Sequence, residues 1–236
     1  MTVAAVILAA SPASALADAE GTPAVRRITD AAWAGGAIPV VAVAADPDGR
    51  VAAALATAEV TLLEPAPTMG GPAGQIAPGM AAAVRLVAAT TGVLIWPARM
   101  GWADAETVTT LIEAHGEDPS SVLRPTFGGV AGWPALVPLA ALAVLDGAAS
   151  AGMPDAAIDE ALDDLAAAGI TVRAIDTGDP GTTHDLSHAR VGLPRFDGPP
   201  RPDDGVEREW GAPAADQSDD TPPVGPARLA HPDRAS

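Results

Sequence analysis

The stretch after the first apolar run of this 236-residue chain has the residue types of a phosphate-binding loop. Residues 3–8 are apolar and β-branched, which predicts a buried strand, and a turn of small residues follows before a helix-like segment. A strand, a small-residue loop and a helix N-terminus together present backbone N–H groups to a phosphate. However, the loop has no glycine before Gly21, and Asp18 and Glu20 place negative charge where an anion would bind.

Two other groups of residues have types that could do chemistry. His184 next to Asp185 could form an acid–base pair, although such neighbours also commonly make a solvent-facing hydrogen bond. Trp96 and Trp102 lie on either side of Arg99 and could stack on a nucleotide base or on its guanidinium, while Trp96 could equally belong to the core.

Composition excludes several classes of site. The chain has no lysine or cysteine, so a lysine on a phosphate, a thiol nucleophile, a thiolate metal site and a disulfide are all excluded. The formal net charge of −17 repels nucleic acid and anionic lipid, so we expect neither as a partner. We expect a cytoplasmic location; a secreted domain is the alternative, because Ala15-Leu16-Ala17 resembles a signal cleavage site, but no basic residue precedes the apolar run.

Apolar runs alternate with helical patterns along most of the chain. We predict strands at residues 3–9, 38–44, 60–63, 93–96, 122–127 and 170–175, and helices at residues 23–34, 50–58, 80–90, 105–115, 136–145 and 155–168. The turn DPDG at residues 46–49 is expected to supply the cap of the second helix. His115 ends a helix, where a charged imidazole would favour the helix dipole, so we expect a structural role for it.

This alternation predicts an α/β fold with a mainly parallel sheet, in which ligands bind beyond the carboxyl ends of the strands. The loops expected at that edge are residues 10–22, 64–79, 97–104, 128–134 and 176–185. We predict one domain at residues 1–193. Residues 194–236 are rich in proline and aspartate with little periodic apolar content, which predicts a disordered tail.

The order of the motifs over residues 1–190 resembles the MobA-like NTP transferase family. Leu8-Ala9-Ala10 matches the end of the family's first strand, and Ser11 stands where the family has a glycine. Further similar segments are PGMAAAVRL at residues 78–86, ADAETVTTLIEAH at 103–115, GWPALVP at 132–138 and DPGTTHDLSHA at 179–189. The resemblance implies a three-layer Rossmann-like nucleotidyltransferase fold.

The resemblance also implies a set of site residues. The residues expected to contact a nucleotide are Ala9, Ala10, Ser11, Ser14, Gly74 and Arg85. The family's metal-binding Asp falls at about Arg99, Asp185 is kept, and Ser187 replaces a second Asp. The family's Lys falls near Glu20. We therefore assign Arg99 and Asp185 as the catalytic candidates and expect no metal ligands.

These departures leave the function open between two classes. The family transfers a nucleotidyl group from an NTP, with Mg²⁺, to a phosphorylated cofactor precursor or sugar phosphate. Without the Lys and the metal Asp, Arg99 could hold a phosphate directly, or it could simply pair with Asp104 or Glu106. The expected partner is a nucleotide or another phosphorylated small molecule. The alternative is a non-catalytic nucleotide-binding or scaffolding protein on the same fold.

Overall fold

The computed structural model describes residues 1–9, 11–64, 73–141, 143–145 and 158–195, all within one compact unit, Met1–Pro200. The predicted tail lies almost wholly outside the described residues, so the boundary at residue 193 stays a prediction. No helix in the described part of the chain is long and apolar enough to cross a membrane.

Within these ranges, ten strands form two sheets. They are β1 (Thr2–Leu8), β2 (Asp18–Ala19), β3 (Thr22–Pro23), β4 (Val40–Val43), β5 (Thr61–Leu63), β6 (Thr90–Pro97), β7 (Val122–Phe127), β8 (Val130–Ala131), β9 (Ala135–Pro138) and β10 (Val172–Asp176). The large sheet has the order β10-β7-β9-β6-β1-β4-β5, with β8 paired to β7, and β2 and β3 form a separate hairpin. Strands β1 and β6 are buried along most of their length, so the sheet centre is the core.

The large sheet is mainly parallel, as predicted. Strand β1 is parallel to β4 and β6, β5 is parallel to β4, and β10 is parallel to β7. Strands β8 and β9 are the antiparallel members. The carboxyl ends of the parallel strands therefore meet at one edge, which we call the carboxyl edge.

Six helices lie wholly within the described ranges: α1 (Pro12–Ala15), α2 (Ala24–Ala34), α3 (Arg50–Leu55), α4 (Ile76–Leu86), α5 (Ala105–Glu117) and α6 (Ile158–Ala167). Residues 143–145 are also helical. Helix α2 packs against α5, and α4 packs against β1, β4 and β6. The backbone of α4 comes so close to the sheet that a Cβ at Gly79 would collide with Val6. Small residues therefore permit the close helix–sheet packing that this alanine-rich core needs. The predicted three-layer α/β fold is confirmed.

The predicted helix at residues 136–145 is wrong in its first half. Residues 135–138 form the buried strand β9, and a 3₁₀ turn, Leu139–Ala141, follows. A strand that is covered on both faces is apolar at every position, so its sequence cannot be told from a buried helix by periodicity. The predicted cap of α3 is present: the two carboxylate oxygens of Asp46 accept hydrogen bonds from the N–H groups of Val51 and Ala52, each at 2.8 Å.

His115 is buried, which corrects its expected role as a charged group at a helix end. Its Nε2 lies 3.3 Å from the Thr91 hydroxyl, and its Nδ1 has no hydrogen-bond partner among the described residues. Burial lowers the pKa of His115 below its ordinary value, and the nearby Asp118 only partly opposes this. The neutral imidazole is thus the form that the fold accommodates.

The titration of His115 should therefore lower the stability of the fold as the pH falls below about 6.5, the ordinary pKa of an unfolded histidine. Since the folded pKa is lower, the unfolded state binds more protons in that range, and protonation favours unfolding. Between pH 7 and pH 5.5 we expect the wild type to lose more unfolding free energy than His115→Gln, which has no imidazole to protonate. Urea unfolding at the two pH values measures this. Equal losses in the wild type and His115→Gln would contradict the expectation.

Candidate functional site

The loop after β1 is held by hydrogen bonds between its own residues. Ser11 caps α1 and its hydroxyl accepts from the Ser14 N–H at 3.1 Å, while the Ser14 hydroxyl accepts from the Ser11 N–H at 3.0 Å. Both serines are thus the two halves of a capping box. The Ser11 N–H, which a phosphate-binding loop would offer to its ligand, is already bonded.

The charged end of this loop is a tight hairpin that the sequence analysis missed. Strands β2 and β3 are joined by Glu20 and Gly21, which both have positive φ values, 55° and 83°. The Asp18 carboxylate accepts from the Gly21 N–H at 2.9 Å. Adjacent residues with positive φ suit a two-residue hairpin turn, and the Glu-Gly pair was the available signal. Glu20 is exposed at the tip of the turn.

Ala9 and Gly74 lie near each other at the carboxyl edge. The buried Ala9 donates to the Val43 carbonyl at 3.0 Å, and its own carbonyl accepts from Nε2 of Gln75 at 3.2 Å. Gly74 belongs to the 3₁₀ turn that contains Gln75. The Oε1 atom of Gln75 is buried and has no hydrogen-bond partner among the described residues. Ala10, the remaining predicted residue of this loop, lies outside the described residues.

Arg85 is far from these residues. It lies in the last turn of α4, whose first residue follows the carboxyl edge and whose last residue leads into the amino end of β6. A helix of 11 residues is about 16 Å long, so Arg85 lies at the opposite edge of the sheet. The structure therefore does not bring Arg85 together with the other predicted residues.

Arg99 and Asp185, the two catalytic candidates, lie in one cleft of about 270 Å³ at the carboxyl edge. The loops after β6 and β10 form it together with β7, the segment around the end of β8, and α6; its lining residues are Arg99, Met100, Arg124, Ala131, Gly132, Trp133, Asp159, Thr182, Thr183, Asp185 and His188. Because β6 and β10 both end at the carboxyl edge, the loops that carry Arg99 and Asp185 open on the same edge, which explains why residues so distant in the chain meet.

The Arg99 side chain is exposed and free. In the described part of the chain no residue forms a hydrogen bond or ion pair with its guanidinium. The expected pairing with Asp104 or Glu106 is not present; the Asp104 carboxylate instead pairs with Arg27 at 3.2 Å and with Arg190 at 3.1 Å. The Arg99 backbone is nevertheless fixed, because its carbonyl accepts from the Leu186 N–H at 2.9 Å.

The two tryptophans near Arg99 are core residues. Trp96 is fully buried and its indole N–H donates to the Met100 carbonyl at 2.9 Å. Trp102 is 4% exposed and donates to the His188 carbonyl at 2.9 Å. Neither side chain is free to stack on a nucleotide base, and both instead stiffen the loop that carries Arg99.

Asp185 is an ionised acceptor in this cleft. Its Oδ1 accepts from the backbone N–H and the hydroxyl of Ser187, at 3.0 and 2.5 Å, and lies 3.3 Å from Nδ1 of His188. The Ser187 hydroxyl is the main cause that lowers the pKa of Asp185 below its ordinary value. The acid–base pair between His184 and Asp185 that the sequence suggested is not formed. Nδ1 of His184 instead lies 2.7 Å from the Pro180 carbonyl.

The cleft contains a second arginine that the sequence analysis missed. Arg124, in β7, lies over the Trp133 ring with its guanidinium carbon 4.5 Å from the ring centroid. Its Nε donates to the Gly132 carbonyl at 2.9 Å, and its two terminal nitrogens lie 3.3 Å from Oδ1 of Asp159. Its partners are 8 to 35 residues away, so no local pattern could have revealed this group.

A buried carboxylate holds the cleft loops together. The two Asp179 oxygens accept from the N–H of Asp104 at 3.0 Å, the Thr107 hydroxyl at 2.8 Å and the N–H of Gly181 at 2.7 Å. Asp104 and Thr107 are in the N-terminal turn of α5, so a residue after β10 caps a helix after β6. Burial raises the pKa of Asp179 despite these donors.

The cleft is suited to an anionic ligand more than to a metal ion. Among the described residues, no group of three or more His, Cys, Asp or Glu side chains lies close enough to hold a metal. A free guanidinium offers up to five N–H donors and a permanent positive charge, which match the oxygens of a phosphate.

Comparisons with known proteins agree with this reading of the fold. The family model of the MobA-like NTP transferase domain matches residues 5–168. No curated protein matches the chain. Similar solved structures include a nucleotidyl transferase from Methanothermobacter thermautotroptrophicus (TM-score 0.58, 15% identity, covering 80% of this chain and 93% of that one).

Two other similar structures come from bacteria. The 2-C-methyl-D-erythritol 4-phosphate cytidylyltransferase of Thermus thermophilus has a TM-score of 0.59 and 16% identity, covering 80% of this chain and 94% of that one. The manganese complex of Rv0371C from Mycobacterium tuberculosis H37Rv has a TM-score of 0.56 and 16% identity, covering 78% and 94%. At these identities the likeness shows the shared fold.

Proposed function

Because this chain belongs to the MobA-like NTP transferase family, as the sequence resemblance predicted, we propose that it binds a nucleotide at the carboxyl edge of its sheet. In this proposal the ligand lies between the loops that follow β1 and β6. The two strands are neighbours with Leu8 opposite Pro97, so Ser11 and Arg99 follow strand ends that lie side by side. A phosphorylated small molecule would bind there through the same groups.

The observation that carries the proposal is the free guanidinium of Arg99 in the cleft. An exposed arginine whose backbone is fixed and whose side chain has no partner among the described residues is available to a ligand. Arginine binds phosphate through two parallel N–H···O bonds. We assign Arg99 to the phosphates of the nucleotide.

The residues present do not fit the family's Mg²⁺ site. By the resemblance, the family's metal-binding Asp falls at about Arg99, which is a cation, and Ser187 stands in place of a second Asp. Asp185 keeps its carboxylate, but its Oδ1 is already bonded to Ser187. We therefore derive no step through a metal ion. The whole chain also has no lysine to offset the charge of a triphosphate.

As a nucleotidyltransferase, the protein would join an acceptor oxygen to the α-phosphorus of an NTP while the bond to pyrophosphate breaks. The chain's own contribution would be positioning and charge: Arg99 would offset negative charge on the phosphates, and ionised Asp185 would orient the acceptor. The lowered pKa of Asp185 makes it a weak base, so we assign it no proton transfer at neutral pH.

A second candidate function is non-catalytic nucleotide binding or scaffolding. It is favoured by the loop after β1, where the Ser11 N–H is already bonded and Glu20 is exposed. Release of pyrophosphate from CTP or GTP by the purified chain, with a phosphorylated acceptor and Mg²⁺, separates the two. Release would support the transferase, and nucleotide binding without release would support the second candidate.

Arg99→Ala should weaken nucleotide binding by about 1.5–3 kcal/mol, roughly 10- to 150-fold, because it removes hydrogen bonds to a charged group. Titration calorimetry with CTP and GTP, with and without Mg²⁺, measures the change. The matched control is Arg85→Ala, which removes the same charge at the opposite edge of the sheet. Equal affinities of Arg99→Ala and the wild type would refute the assignment of Arg99.

We propose that the partner of this protein in the cell is a nucleotide rather than a nucleic acid, because the chain's net charge of −17 repels a polyanion. We also propose the cytoplasm as its location, which the lack of cysteine matches.

A further inference from the structure

The guanidinium of Arg124 is held on a platform inside the candidate cleft. The side chain is 12% exposed, its guanidinium carbon lies over the Trp133 ring, 4.5 Å from the centroid, and its Nε donates to the Gly132 carbonyl. Trp133 is itself buried. These contacts restrain the guanidinium, and its two terminal nitrogens have one further partner among the described residues.

That partner is a weakly held carboxylate. Both terminal nitrogens contact the same oxygen of Asp159, at 3.3 Å each, rather than one oxygen apiece as in a bidentate pair. The Asp159 side chain is 55% exposed, so water competes for it. An ion pair with this exposure is a weak one, because solvent screens the attraction. A better-fitting anion can therefore replace Asp159.

We propose that Arg124 binds an anionic group of the acceptor substrate, a carboxylate or a phosphate, and that Asp159 occupies this position until the acceptor displaces it. This inference rests on the proposed function, because Arg124 and Arg99 line the same cleft. Arg99 holds the nucleotide and Arg124 selects the acceptor. The acceptor class is thus a molecule with an anionic group in addition to the oxygen that attacks.

The charges around Arg124 set the selectivity. Asp159 and Asp163 both act on the Arg124 charge, and Asp185 lines the same cleft. An anionic acceptor that displaces Asp159 compensates the guanidinium charge, whereas a neutral acceptor would leave that charge without a counterion. Arg124 is therefore a specificity-determining residue.

The test uses Asp159→Asn in the full chain with two probes, inorganic phosphate and succinate. This exposed substitution removes the competing charge but keeps the shape, so both probes should bind about three- to fivefold more tightly. Asp164→Asn, an exposed change on the same helix, is the matched control and should leave affinity within about twofold. Titration followed by thermal shift measures the affinities, and a stronger gain with one probe identifies the anion class.

The double variant Asp159→Asn/Arg124→Gln should lose the gain in affinity that Asp159→Asn produces. The double variant Asp159→Asn/Arg124→Lys, which keeps the positive charge, should retain part of that gain. An unchanged affinity in Asp159→Asn, or a gain that survives in a folded double variant, would overturn the proposal. Arg99→Ala separates this proposal from the proposed function. Arg99→Ala should lower the affinity for CTP and GTP, whereas the gain in affinity for phosphate and succinate from Asp159→Asn should persist when Arg99→Ala is also present.

Discussion

Asp179→Ala is expected to reduce the free energy of unfolding by about 3–5 kcal/mol, since two of the three donors to its carboxylate are backbone N–H groups that the substitution would leave in the interior. The Asp179 residue is 2% exposed, so water cannot readily replace the lost acceptor. Each buried donor without a partner costs about 1–3 kcal/mol. The raised pKa of Asp179 shows that burying this charge is itself unfavourable, so the alanine regains part of the loss.

Urea unfolding at pH 7 measures this change. The matched control is Asp176→Ala at the end of β10, where the carboxylate makes an exposed hydrogen bond to the Gly178 N–H. We expect the control to cost less than about 1 kcal/mol, as at other exposed positions. If Asp179→Ala were no more destabilising than Asp176→Ala, the cross-loop cap would not be holding the helix start.

Gly181→Ala is expected to destabilise the chain by about 3 kcal/mol or more, because overpacking against backbone is costly. A Cβ at this position would collide with the carbonyl group of Trp102 and with the N–H of Ala103, at 2.7 Å. Backbone atoms cannot move aside as a flexible side chain can, so the loops after β6 and β10 would have to separate. The same two loops present Arg99 and Asp185 to the cleft.

Thermal unfolding tests this prediction. For a chain of this size, about 3 kcal/mol corresponds to a fall in Tm of about 6–12 °C. The control is Gly192→Ala, where an added Cβ meets no atom within 4 Å. A Gly181→Ala protein whose Tm matches that of the wild type would show that the loops separate without cost.

Much of the fold could be predicted from the sequence because the relevant signals are local. The apolar run that forms β1 and the Asp46 cap both depend on residues within one element or one turn. Strand β9 could not be predicted, because burial on both faces removes the alternation that marks a strand. The β2–β3 hairpin was missed because each strand has only two residues, too few for an alternating pattern, so the Glu20-Gly21 pair at its turn was the only signal.

The candidate site was predictable in its location more than in its contacts. The positions of Arg99 and Asp185 at one edge follow from the direction of parallel strands, which the alternation of elements predicts. The ion-pair partners of Asp104 could not be predicted from the sequence, because Arg27 and Arg190 are 77 and 86 residues away from it. Arg85 was assigned to the site by resemblance, and only the direction of α4 places it elsewhere.

The position of β9 also fixes an order of assembly. This strand lies between β6 and β7 although it follows both in the chain, and it meets β7 at a single register pair, Leu123 with Leu136. During synthesis β7 cannot take its final place until residues 135–138 have emerged and paired with β6. The half of the sheet that carries Arg124 therefore joins the folded core late. The edge of β6 that pairs with β9 stays unpaired until α5, β7 and then β9 have been synthesised.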